Sequence, residues 1–330
     1  MKKYSIGVDL GGTKVLTAVV EKSTGKVVVE NKNKTKQERG NSQISKIILK
    51  TIKELIKEAG IDKDAISSIG IGAAGQVDRE QGILINAPNL ECQALDLKGL
   101  VERAFDIPTY VGNDVEVAAI GELHFGAGRG YKDICCIFVG TGIGSSIIKD
   151  GKIHYGASGT AGEIGHIIVD LNGRACSCGA NGCLEAYASR TAIESRIMGA
   201  IKKGRKSIIT DLTGPSGSIS SKHIKQSLDA RDEVVEHYVK EAIEYFSGGL
   251  ATVMDFYNPE LIILGGGVID SIDEFYLKAI KVARMKALPI PSIKTVFKKA
   301  ELGDYSGVIG AALLKEQFDL QRRGRCASSA

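Results

Sequence analysis

Short apolar runs that end in glycine recur along this chain, and they set its architecture. Residues 5–9 and 15–20 read as strands joined through Gly11-Gly12-Thr13, and a third strand, 27–30, follows the Thr24-Gly25 turn. Ile44, Ile47, Ile48, Ile52, Leu55, Ile56 and Ala59 then fall at i, i+3, i+4 spacing with lysines and glutamates between them. That period predicts an amphipathic helix closed by Gly60 at its C′ position. Residues 66–71 return to a strand, so the order is βββαβ. The pattern then restarts: 134–139 reads as a strand ending at Gly140-Thr141-Gly142, 143–149 as a second, and 152–155 as a third after Asp150-Gly151. Each set carries Gly-Lys in its next turn (Gly25-Lys26, Gly151-Lys152), which points to a duplicated half. A strand over 108–112 leads into a helix over 115–125. Further helices are expected over 185–201, 232–256 and 306–317, and a strand over 261–264 stops at Gly265-Gly266-Gly267. Residues 210–221, rich in Ser, Gly, Thr and Pro, read as a surface loop, and the tail after Asp319 as disordered. Alternating strands and helices in two similar halves predict an α/β protein of two lobes with a cleft between them.

Composition narrows the classes of function. At ~150 residues per domain, 330 residues suggest two domains or one large bilobal one. The net charge of +4 includes Arg322, Arg323 and Arg325 near the end; without them it is +1, which implies no basic face for nucleic acid. No apolar run approaches the ~20 residues of a membrane span. The opening apolar stretch ends at Asp9, too soon for a signal peptide, so a cytoplasmic protein with reduced thiols is expected. Forty glycines against six prolines imply many tight turns and close backbone approaches.

Three strand ends carry the first candidate chemistry. Asp9-Leu10-Gly11-Gly12-Thr13-Lys14 joins an acid to a turn whose N–H groups and hydroxyl suit a phosphate, with Asp9 able to hold Mg²⁺ through water. Gly140-Thr141-Gly142-Ile143-Gly144-Ser145 is the matching loop of the second half, and Gly265-Gly266-Gly267 is open enough for a flat ring. One such turn alone is ordinarily a hairpin; three in a duplicated α/β frame favour a nucleotide. Gly70-Ile71-Gly72-Ala73-Ala74-Gly75 matches the dinucleotide fingerprint, but Gln76-Val77-Asp78 follows where a helix should open, so a nicotinamide cofactor is not expected. Asn113-Asp114 sits before the 115–125 helix. There Asp114 is either a general base aided by the helix N-terminus or a plain N-cap aspartate.

The sharpest signal is His166, Cys176, Cys178 and Cys183, spaced H-x9-C-x-C-x4-C with Gly179 and Gly182 between. Three thiolates and one imidazole make a complete tetrahedral set for structural Zn²⁺, with no position left for catalytic water. An iron–sulfur site is the rival reading, weakened because Cys92, Cys135, Cys136 and Cys326 are scattered. Glu163 and Glu185 bracket the loop, where a metal clamp would position carboxylates for the hydroxyls of a polyol. Without the surrounding motif, Glu185 is simply a first-turn helix acid and Glu163 a solvated charge.

Taken together these residues resemble the ROK family (repressors, open reading frames and sugar kinases) of the actin-like ATPase/hexokinase superfamily. The most specific part is Gly162-Glu163-Ile164-Gly165-His166, followed by Cys176-Ser177-Cys178-Gly179-Ala180-Asn181-Gly182-Cys183-Leu184-Glu185. The resemblance implies a duplicated ribonuclease H-like fold: a small lobe over 1–114, to which a helix over about 306–318 returns, and a large lobe over 115–305 with a zinc loop at 163–185. It also implies an ATP-dependent hexose kinase, a phosphotransferase acting on the 6-OH of a glucose-like sugar. Asp9, Gly11, Gly12, Thr13, Lys14, Gly140, Thr141 and Gly142 would serve Mg-ATP, and Gly265, Gly266 and Gly267 the adenosine. Asp114 would be the base, and Asn89, Asn113, Asp114, Glu163, His166 and Glu185 would hold the sugar. Such proteins are often homodimers or homotetramers.

Two departures accompany the resemblance. Where sugar kinases of the family often show Asn-Leu-x-Trp, this chain has Asn89-Leu90-Glu91-Cys92 and no tryptophan anywhere. Where Ala-Asn-Ala-Ala commonly follows the catalytic Asp, it has Val115-Glu116-Val117-Ala118. The first touches the sugar pocket, so an N-acetylhexosamine, mannose or fructose stands beside glucose as substrate; no sequence feature decides between ATP and polyphosphate as donor. Family repressors carry a winged helix before the Asp-Leu-Gly-Gly block; eight residues precede Asp9, so no DNA-binding region is expected. A sugar sensor without catalysis is the alternative function, and an iron–sulfur ATPase that activates a partner enzyme is a third.

Overall fold

The structure, a computed structural model, describes residues 2–35, 39–213 and 217–328. The chain begins with β1 (Tyr4–Leu10), β2 (Lys14–Glu21), β3 (Val27–Lys34), α1 (Gly40–Ala59) and β4 (Ile66–Ala73). A small meander follows, β5 (Gln76–Asp78), β6 (Ile83–Ala87) and β7 (Cys92–Asp96), then α2 (Leu97–Phe105), β8 (Thr109–Asn113) and α3 (Asp114–Phe125). The motif repeats with β9 (Ile134–Val139), β10 (Ile143–Lys149) and the two-residue β11 (Lys152–Ile153). Helices α4 (Glu185–Ala188), α5 (Arg190–Lys202), α6 (Ile209–Thr213), α7 (Ser221–Asp229) and α8 (Glu233–Thr252) precede β12 (Leu261–Gly265). The chain closes through α9 (Gly267–Ser271), α10 (Asp273–Lys286), α11 (Pro289–Lys294), β13 (Val296–Lys299), α12 (Ser306–Ala312) and α13 (Leu314–Ser328).

Two compact units result: Met1–Gly130 with Asp150–Ile153 and Glu301–Ala330, and Tyr131–Lys149 with His154–Ala300. In the first, the sheet order is β3-β2-β1-β4-β8, with β1 antiparallel to β2 and parallel to β4, and β4 parallel to β8. Alternation along β2 sorts its side chains between two cores. Val15 and Val19 join Ile44, Ile48, Ile52 and Leu55 of α1 on one face, while Leu16, Ala18 and Val20 meet Val308, Ile309 and Ala312 of α12 on the other. Gly60 closes α1 in the left-handed conformation at φ 59°. Helix α12 is buried along its whole length. It packs on bare backbone, because a Cβ at Gly7 or Gly70 would run into the carbonyl of Val308 or Ala311.

In the second unit β10, β9, β12 and β13 lie side by side, β9 antiparallel to β10 and parallel to β12, and β12 parallel to β13. This repeats the order and directions of β2-β1-β4-β8, so the halves are duplicated. Its core is crossed by Phe246 of α8 and Phe275 of α10, ring centroids 5.5 Å apart.

Several expectations are corrected. Helix α3 falls in the first unit rather than opening the second, because it packs along α12; the boundary follows Gly130 instead of Asp114. The 185–201 helix is broken at Ser189, whose hydroxyl accepts from Ala192 N–H (3.1 Å) and starts α5 afresh. The 306–317 helix is likewise split at Leu313. The tail, expected to be disordered, continues as α13 to Ser328, anchored where Phe318 packs on Tyr110 at 5.2 Å and Lys315 pairs with Asp319 one turn on. Helix α6 takes the start of the 210–221 loop because Ile209 is buried; residues 214–216 of that loop lie outside the described residues. The strand expected over 152–155 is only β11. Among the described residues no helix is long and apolar enough to cross a membrane.

Candidate functional site

In the first unit the chemistry gathers at the carboxyl ends of the parallel strands, the side of an α/β sheet where ligands bind. Asp9 pairs across β1–β4 with Gly72, and Ala73 across β4–β8 with Asn113, which brings Asp9, Asn113 and Asp114 to one edge. The Gly11 N–H donates to the Lys14 carbonyl (3.0 Å), closing the turn. Its own carbonyls are taken: Gly11 O accepts from Thr35 Oγ1 (3.2 Å) and Gly12 O from Arg39 Nη1 (3.3 Å). Asn89 lies against Gly12, while Thr13 stays exposed. Lys14 has an acidic partner that local sequence does not reveal, Asp304, 2.9 Å from its Nζ.

Electrostatics mark this edge as short of positive charge. Burial and the nearby Asp114 push the Asp9 carboxyl up to about 6, against a partial pull from Lys14. Burial raises Asp114 as well, and the Val115 N–H works against it. Two partly buried carboxylates that raise their own proton affinity form a donor set that a hard cation would relieve. Gly307 of α12 leaves the room, since a Cβ there would stand 3.0 Å from the Asp9 carboxylate.

The N-cap of α3 is Asn113, not Asp114. Asn113 Oδ1 accepts from the N–H groups of Val115 (2.9 Å) and Glu116 (3.4 Å), and Glu116 Oε2 accepts from Asn113 N–H (3.2 Å), a complete capping box. Asp114 is therefore the first helical residue; its Oδ1 accepts from Val115 N–H at 3.0 Å. Asn113 Nδ2 donates to Gly75 O (3.1 Å), and Arg79 forks onto Glu116. Sequence reasoning missed both Arg79 and Glu122. Fully buried Glu122 accepts from the N–H groups of Ala127, Glu301 and Leu302 and from Ser306 Oγ at 2.9–3.0 Å, tying α3 to the segment before α12.

In the second unit the turns 140–142 and 265–267 end the neighbouring parallel strands β9 and β12, where Gly265 pairs with Phe138. Gly140 O accepts from Arg190 N–H (2.9 Å), and Arg190 Nη2 donates to Thr141 Oγ1 (3.0 Å). Glu185 Oε2 accepts from Ile143 N–H at 2.8 Å, so this acid also anchors the glycine turn. Gly265-Gly266-Gly267 makes the passage into α9, with Gly266 at φ 91°.

His166, Cys176, Cys178 and Cys183 come together as the spacing predicts, with their ligand atoms all within 4.8 Å of one another. Cys178 Sγ and Cys183 Sγ are 3.6 Å apart, and Cys176 Sγ lies 3.8 Å from His166 Nδ1. Tetrahedral sites with metal–sulfur bonds of about 2.3 Å have edges of about 3.8 Å, so these residues could hold such an ion. Backbone pairings of Ala175 with Asn181 and of Ile168 with Cys183 shape the loop. Burial pushes the Cys183 thiol up, a proton that bound metal would displace. The loop is fastened on one side by Ser177 Oγ to Glu185 Oε1 (3.4 Å) and on another by Tyr187, which donates to Asp170 Oδ2 and accepts from Arg174 N–H, both at 2.9 Å. Glu163 is exposed, and its carbonyl accepts from His166 N–H (3.0 Å). Ser145, the last residue of the 140–145 loop, bonds Gly162 O and accepts from Ile164 N–H (3.0 Å), fixing that segment to β10.

Known proteins share this design. A glucokinase of Halalkalibacterium halodurans is 32% identical over 326 residues, 98% of each chain. The crystal structure of a ROK family glucokinase from Streptomyces griseus, in complex with glucose and AMPPNP, superposes with a TM-score of 0.80 at 33% identity, over 94% of this chain and 98% of that one. A xylose repressor of Caldicellulosiruptor bescii is 29% identical, matching 92% of this chain and 76% of its own. The duplicated α/β architecture is thus that of actin-like ATPases. The ROK family model matches residues 5–317, and together with the Cys/His loop and the strand-end acids this establishes that the chain belongs to the ROK family.

Proposed function

We propose that this protein is an ATP-dependent hexose kinase that phosphorylates the 6-OH of a glucose-like sugar. The observation that carries the reading is Asp114, an acid at the first turn of α3 that capping leaves to other work, set beside a second acid, Asp9. Likeness to glucokinases over nearly the whole chain supports it.

In this reading Asp114 accepts the proton of the attacking hydroxyl as the sugar oxygen bonds to the γ-phosphorus and the bond from that phosphorus to the β–γ bridging oxygen breaks, releasing ADP. Positioning and charge neutralisation do most of the work in such a transfer. Asp9 would hold Mg²⁺ through water, an ion that supplies charge neutralisation at the phosphates when bound. The turns at Gly11, Gly12 and Thr13 with Lys14, and at Gly140, Thr141 and Gly142, would cradle phosphates, and Gly265, Gly266 and Gly267 would face adenosine. Asn89, Asn113, Glu163, His166 and Glu185 would orient the sugar. His166, Cys176, Cys178 and Cys183 would hold Zn²⁺, which their soft, tetrahedral donor set fits.

The test is ADP release with MgATP across glucose, mannose, fructose, allose, N-acetylglucosamine and N-acetylmannosamine. Sugar-dependent turnover, highest with glucose, is expected. A flat panel with sugar binding still visible by calorimetry would replace the kinase with a sugar sensor, the reading that likeness to a xylose repressor favours.

A further inference from the structure

Glu116 and Arg79 make an ion pair that neither the fold nor capping requires. Any acceptor on the third residue of α3 could complete the capping box, yet Glu116 brings a full charge two residues from Asp114. Arg79 Nε donates to Glu116 Oε2 at 3.0 Å, and its Nη2 bonds Oε1, a two-pronged contact. The side chains are 17% and 13% exposed, so solvent screens the pair only in part. The contact closes a ring: Arg79 follows β5, Gly75 precedes it, and the Gly75 carbonyl is held by Asn113 Nδ2 at 3.1 Å. Asn113 and Glu116 are thus gripped from the same segment, and Asp114 lies between them on the chain. Glu116 acts on Asp114 as a like charge, and Arg79 is the cation set on Glu116.

We propose that Arg79 is a positioning residue for phosphoryl transfer: paired with Glu116, it cancels a charge that would otherwise repel Asp114 and displace the first turn of α3 that carries that base. This rests on the kinase reading given above, which names Asp114 as the base. Arg79 acts through Glu116, which in turn accepts from the Asn113 N–H.

The test is a charge-compensation cycle in the full chain. Arg79→Met keeps most of the stem and leaves Glu116 charged, and kcat should fall at least about tenfold while KM for sugar and ATP changes less than about twofold. In Arg79→Met/Glu116→Gln the amide oxygen still accepts from Asn113 N–H and no charge remains, so kcat should return to within about threefold of the parent. A purely structural role would leave the double variant as impaired as the single one. That result, or a single variant within about twofold of the parent, overturns the proposal. Amide hydrogen exchange over residues 113–117 gives a readout apart from activity. It should quicken at least about tenfold in Arg79→Met while β9 is unchanged, and unaltered exchange would likewise overturn the proposal. If the parent turns over no sugar, the kinase reading fails by itself, and exchange alone decides whether Arg79 holds this turn.

Discussion

Replacing Asp9 by Asn should make the metal-free protein more stable while removing its activity. In the folded chain the Asp9 carboxyl is raised from the ordinary 3.8 to about 6 by burial and by the repulsion of Asp114. A shift of about 2 units corresponds to about 3 kcal/mol of preference for the protonated acid, at 1.36 kcal/mol per unit. Partial access to solvent and coupling to Asp114 reduce that to ~2 kcal/mol. The sign follows from which state holds the proton more tightly. Below 3.8 both states are protonated and Asp9 costs nothing; as pH rises from there through the folded value near 6 the unfolded state gives up its proton first, the penalty builds, and at pH 7 the ionised acid destabilises the fold. Asn has nearly the same shape and no charge. Urea unfolding of the first unit in EDTA, at pH 4 and at pH 7.5, measures the effect. Asp9→Asn should equal the parent at the lower pH and exceed it by ~2 kcal/mol at the higher, and added Mg²⁺ should stabilise the parent but not the variant. A variant no more stable than the parent at pH 7.5, or a difference that ignores pH, would refute the claim that this acid is held against its own solvation.

Asp114→Asn should lower kcat by at least about a thousandfold while calorimetry shows sugar affinity within a few-fold of the parent; near-normal turnover would remove Asp114 as the base. Cys178→Ser should lose bound metal in elemental analysis and several degrees of melting temperature together, and an active, equally stable, metal-free variant would make the site incidental. Glu122→Gln should cost ~2–4 kcal/mol of stability in urea titrations, because an amide NH₂ would face N–H donors inside the core; a cost below about 0.5 kcal/mol would mean those four contacts are not made.

What local pattern could reveal was read well, and the misses share a cause. Period-2 and period-3.6 alternation found β1, β2, α1, β9 and β10, because each buries a face that its own residues define. Gly60 and Gly266 were legible because few other residues suit their left-handed backbones, at φ 59° and 91°. The gathering of His166, Cys176, Cys178 and Cys183 was legible from spacing alone. The membership of α3 and the reach of α13 depend on partners far along the chain, α12 for α3 and Tyr110 for Phe318, whereas the break at Ser189 is a local cap hidden inside a continuous helical pattern. The same distance hid Asp304 from Lys14, Arg79 from Glu116, and Glu301, Leu302 and Ser306 from Glu122. A buried acid inside Ala119-Ile120-Gly121-Glu122-Leu123 was the available clue, a charge set in an otherwise apolar helix.

The position of α12 has a consequence for how this chain is made. Residues 301–312 leave the ribosome after the whole of the second unit, yet they cover Leu16, Ala18 and Val20 and supply three of the four donors to Glu122. Until then the sheet that is synthesised first has one bare apolar face, and a carboxylate destined for burial lacks most of its partners. The second unit, nearly continuous from Tyr131 to Ala300, suffers no such delay and can fold as it emerges. The unit that begins the chain is therefore the last to be completed, and chaperones would meet it as an unfinished sheet during the interval.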